Sequence, residues 1–80
     1  MQSPTARATS EYAVVIEPTD TGYSVYVPDL PGCVSVGESR AEAIEMITEA
    51  IELHIESLRE HGEPVPVPST EVDQVAVHAA

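Results

Sequence analysis

The stretch from Ser39 to Gly62 constrains this chain more than any other. Its apolar residues Ile44, Ile47, Ile51, Ile55 and Leu58 recur at steps of three and four, with Ala43 and Ala50 on one flank. That is the period of a single helix face. Ser39 stands at the N-cap position, and Glu42, three residues on, is placed to return a hydrogen bond to the cap's own N–H, as in a capping box. At the other end Gly62 can close the helix in a left-handed conformation, and Pro64 cannot extend it. Such a helix is marginal in water until its stripe is covered, and burying five aliphatic side chains gives on the order of 10 kcal/mol gross. The opposite face carries Glu45, Glu49, Glu52, Glu56 and Glu60, with Arg40 and Arg59 as the basic residues, and belongs in water.

The rest of the chain has to supply the surface that covers the stripe. Residues 1–10 are small and polar without periodicity, which predicts a disordered lead ahead of a single domain over 11–80. Glu11 to Glu17 is rich in β-branched residues and apolar on both faces; Tyr23 to Val27 resumes alternation after the turn Pro18-Thr19-Asp20-Thr21-Gly22. These runs predict an antiparallel hairpin. Pro28-Asp29-Leu30-Pro31-Gly32 forces the chain out of the ladder before a third strand over Cys33 to Val36. After the helix, Glu63 to Pro68 alternates proline with valine, which predicts an extended surface connector. Val72 to Val77 is the candidate fourth strand.

These elements predict an α+β fold: a three-stranded antiparallel meander, one amphipathic helix on one face, and a fourth strand parallel to the first. A right-handed crossover through the helix gives the strand order 3-2-1-4. The first strand is then central, and its helix-free face is open to a partner subunit. A chain of 80 residues buries a thin core, so a homodimer or higher oligomer is expected.

Charge and composition narrow the function. A net charge of −11 opposes direct binding to a nucleic-acid backbone and favours a basic protein partner. The single cysteine, Cys33, forms no internal disulfide, and the longest apolar run, Ala13 to Ile16, is too short to span a bilayer. A cytoplasmic location without membrane association is expected.

No catalytic residue, metal ligand or cofactor site is predicted, and the chain does not read as an enzyme. Glu11, Glu17, Asp20 and Asp29 do not converge as a two-metal nuclease centre requires, and His54, His61 and His78 are scattered. Cys33 reads as a small apolar filler. Asp29 reads first as the cap of its own turn, accepting nearby backbone N–H groups. A partner-binding patch of Tyr26, Asp29, Leu30 and Pro31 is the candidate site. Alternatively, Leu30 folds over the core and Tyr26 packs within a homo-oligomer.

Taken together, Tyr12 to Glu17, Gly22 to Cys33 with its Pro28-Asp29-Leu30-Pro31-Gly32-Cys33 run, Gly37-Glu38-Ser39, Glu42-Ala43, Glu49-Ala50-Ile51 and Gly62 to Pro66 resemble the HicB antitoxin family. The resemblance implies a partial ribonuclease-H-type fold. It also implies an antitoxin that occludes HicA, a small basic toxin that cleaves messenger RNA. Many antitoxins of that family continue into a DNA-binding domain, whereas this sequence stops at Ala80, so operator binding is not expected. The other reading is an orphan oligomeric module that binds protein without a toxin partner.

Overall fold

The computed structural model describes residues 10–78. The expected disordered lead therefore lies, except for Ser10, outside the described residues. Three short strands, β1 (Val15–Pro18), β2 (Tyr23–Tyr26) and β3 (Val34–Gly37), are followed by one helix, α1 (Arg40–Glu60). The sheet is an antiparallel meander in the order β1-β2-β3. Val15 pairs with Tyr26 and Pro18 with Tyr23; Tyr26 pairs in turn with Val34, and Tyr23 with Gly37.

The strands are shorter than their apolar runs because the loop after β2 removes their partners. Val27 leaves the ladder with β1 and donates its N–H to Cys33, while Leu30 donates to Val27 and Cys33 to Leu30. Two turns follow in succession, each with proline at its second position. In the second, Pro31 precedes Gly32 at φ 84°, the sign that a type II turn demands at that position and that glycine adopts freely. Residues 12–14 therefore run on past β2 with no strand beside them.

The helix starts and stops where its caps dictate. Ser39 Oγ accepts the N–H of Glu42 at 3.1 Å. The Glu42 carboxylate takes the N–H of Glu38 at 2.6 Å, one residue before the cap whose own N–H it was expected to meet. At the C-terminus Glu63 donates to Leu58 O and Gly62 to Arg59 O, the paired bonds of a Schellman motif. Gly37 lets the first turn of α1 sit directly on β3, since a Cβ there would collide with the backbone of Ala43.

The core forms between α1 and the sheet: Val25, Val27, Leu30, Cys33, Ala43 and Ile47 are buried, with Tyr12, Val14, Ile16, Tyr23, Ala50 and Ile51 packed around them. Of the helix stripe, Ile47 is fully covered, while Ile44, Ile51, Ile55 and Leu58 are half-buried. The reason is length. A 21-residue helix spans about 31 Å, whereas four-residue strands span about 13 Å, so the second half of α1 overhangs the sheet.

The expected fourth strand is absent from the described sheet. Val72 to Val77 pairs with no strand and is exposed throughout, so the order 3-2-1-4 is replaced by β1-β2-β3, with β2 central and β1 at an edge. The return segment is nevertheless anchored. Pro66 O accepts the Tyr12 hydroxyl at 2.6 Å, and Ser69 and Thr70 meet Asp29.

Candidate protein-binding surface

The register of the sheet decides which residues share its helix-free face. Val25 and Ser35 face α1, for Val25 is buried and Ser35 Oγ reaches Met46 O. Their neighbours Tyr26, Val34 and Val36 therefore point the other way. Val15, Tyr26 and Val34 form one cross-strand row, and Glu17, Ser24 and Val36 the next. Val34 and Val36 are 64% and 70% exposed, unusually open for valines in a sheet. With Tyr26 they make a contiguous apolar patch of the kind that marks protein contacts. Val34 and Val36 are absent from the predicted patch; the alternation that aligns them with Tyr26 becomes legible only with the cross-strand register.

The four predicted contact residues separate into different roles. Tyr26 lies on the open face and Pro31 is exposed at the turn. Leu30 is fully buried, so its side chain fills the core beneath the loop. Asp29 caps no turn of its own. Its carboxylate accepts the backbone N–H groups of Ser69 and Thr70, each at 2.9 Å, and both of their hydroxyls, at 3.2 and 2.7 Å. The N–H of Thr70, followed by that of Ser69, lowers its pKa from 3.8 to about 2, because hydrogen bonds to the charged form favour it. Asp29 is thus a clamp across 40 residues, joining the loop after β2 to the segment after α1.

The chemistry of the remaining candidates is modest. Burial raises the pKa of the Cys33 thiol, which keeps it protonated and poorly nucleophilic at neutral pH. Among the described residues, no group of three or more His, Cys, Asp or Glu side chains is placed to hold a metal. No helix among them is long and apolar enough to cross a membrane.

One concave feature stands apart from the patch. Where α1 overhangs the sheet, a groove of about 870 Å³ runs between the helix and the chain entering β1, lined by Tyr12, Ile51, Ile55, Arg59 and Val65 among others. The helix packs over β3 and β2 and scarcely touches β1, which leaves this side open. The acidic row Glu45, Glu49, Glu52, Glu56 and Glu60 is exposed along α1.

The family model described as a HicB-like antitoxin of a bacterial toxin–antitoxin system matches residues 12–79. A UPF0150 protein of Thermoplasma acidophilum is 43% identical over 70 residues, covering 86% of this chain and 99% of that protein. Antitoxin HicB 1 of Photorhabdus laumondii is 38% identical over 58 residues; the match takes in 71% of this chain but 37% of that longer protein. Among solved structures, a chain of a HicA3 and HicB3 toxin–antitoxin complex superposes with a TM-score of 0.66 at 35% identity, covering 75% of this chain and 70% of its counterpart. The meander, the capped helix and the double-turn loop, together with these matches, place the chain in the HicB-like antitoxin family of bacterial toxin–antitoxin systems.

Proposed function

We propose that this chain is a cytoplasmic antitoxin that binds a small basic toxin of the HicA type and occludes it, without chemistry of its own. The observation that carries this reading is the likeness to a chain of the HicA3 and HicB3 complex, joined to an apolar patch on an acidic molecule. Tyr26, Val34 and Val36 supply the apolar contact, and Pro31 and the Asp29-clamped loop border it. The net charge of −11 steers a basic partner toward the patch and repels messenger RNA. Residues 11–80 act as one binding domain that also self-associates.

Co-expression with the product of the adjacent small gene tests this. A stable complex with a basic protein of below about 100 residues is the expected result; two proteins that elute apart at micromolar concentration overturn it. The exposed valines after Thr70 favour a second reading, an oligomeric module that binds protein without a toxin. That reading gains if the neighbouring product is not basic or leaves cells unharmed when expressed alone.

A further inference from the structure

We infer that residues 71–78 of one copy lie along the outer edge of β1 in a second copy and over the groove between α1 and the chain entering β1, so that two chains complete each other's sheets. The inference extends the self-association proposed above and is independent of the toxin.

Three observations meet in it. The first is a segment with no place in its own fold. Residues 71–78 form no regular secondary structure and are exposed along their whole length, with Val75 and Val77 at 81% and 78% exposure, although both are β-branched residues whose spacing of two suits one side of a strand. The molecule is drawn out to 53 Å with a radius of gyration of 15.4 Å, against about 12 Å for a compact chain of this length.

The second is a site of matching form. β1 pairs with β2 on one side and has no strand on the other among the described residues, leaving a row of backbone donors and acceptors free along residues 12–18. Such an edge is a template for another strand. The adjoining groove offers Tyr12, Ile51, Ile55 and Val65 to apolar side chains, while Glu52, Glu56 and Glu60 line it beside Arg59, so its match to the segment is apolar rather than electrostatic. The incoming strand carries Val75 and Val77 with Glu71 and Asp73 on the same side.

The third is the point of departure. Asp29 holds the N–H groups of Ser69 and Thr70, so the segment leaves the body from a fixed place, and among the described residues it does not line its own groove. Reciprocal exchange satisfies both open edges at once and closes under two-fold symmetry.

Sedimentation of the full chain and of the double variant Val75→Asp/Val77→Asp tests the exchange. Both positions are exposed in the single chain, so the variant retains its helix by circular dichroism. The full chain sediments as a dimer, and the variant's dissociation constant rises by more than about 100-fold. A monomeric full chain overturns self-association as a whole, whereas a variant that remains dimeric overturns the exchange alone. Loss of the dimer on removing residues 1–9, with the valine variant still dimeric, assigns the groove to the other end of the chain and likewise overturns the exchange. A second measurement fixes the geometry. Chains carrying Val75→Cys mixed with chains carrying Ile55→Cys form a disulfide between different molecules; a bond that forms only within single chains carrying both substitutions contradicts the inference.

Discussion

Leu30→Ala separates a core role from a contact role at the most distinctive loop of this chain. Leu30 is fully buried against Val25, Val27 and Cys33, and the two turns around it are fixed by Pro31 and by Gly32 at φ 84°. A loop pinned in this way cannot collapse into the space that the truncated side chain leaves, so the cost falls within the range for buried leucines, about 3 kcal/mol. A domain of this size has a net stability of about 4–10 kcal/mol, so the loss is a large share of it. In urea, with a slope of about 1 kcal/mol per molar, the midpoint falls by about 3 M. The measurement is made at one fixed protein concentration, because the proposed self-association would add to apparent stability. Leu30→Met, which conserves volume, costs less than about 1.5 kcal/mol. A Leu30→Ala loss below about 1 kcal/mol, with partner binding weakened at the same time, would refute the core role and return Leu30 to the contact surface.

Other perturbations probe the remaining contacts. Val34→Arg lies on the open face and shifts stability by no more than about 0.5 kcal/mol, yet it weakens capture of a basic partner by at least about tenfold, as read by titration calorimetry. Gly37→Ala drives a methyl group into the backbone of Ala43 and lowers stability by about 1–3 kcal/mol, measured by urea melts. The Asp29 clamp is sensitive to acid. Because its folded pKa is depressed from 3.8 to about 2, its stabilising contribution is present above about pH 4 and is lost as pH falls through about 2. Amide exchange at Ser69 and Thr70 therefore accelerates across that window relative to Asp29→Asn, in which those amides are already less protected at neutral pH.

Much of the fold is legible in local sequence because local sequence causes it. The helix from Ser39 to Gly62 follows from its caps and its three-and-four spacing, and the hairpin from a turn between two β-branched runs. The consecutive turns of the Pro28 to Cys33 loop follow from two prolines and a glycine. What failed depends on distant pairs. Val72 to Val77 has the composition of a strand, but composition carries no information on which edge, or whose, a strand joins. Asp29 reads as a turn cap because its Ser69 and Thr70 partners lie some 40 residues away. Leu30 and Tyr26 look alike as apolar residues near a loop; the cross-strand register turns Tyr26 to the open face, and the two turns after β2 fold Leu30 into the core. The apolar character of β1 on both faces reads as a central strand. In the structure it belongs to an edge of the described sheet, with β2 central.

The most direct test of the proposed role is a titration of RNA cleavage by the proposed HicA-type toxin partner with the purified chain. Cleavage falls to background near a one-to-one ratio with the unaltered chain, and Val34→Arg shifts the inhibition to at least about tenfold higher concentration. Cleavage that continues unchanged in a molar excess of the folded, unaltered chain contradicts the occlusion of a toxin by this surface.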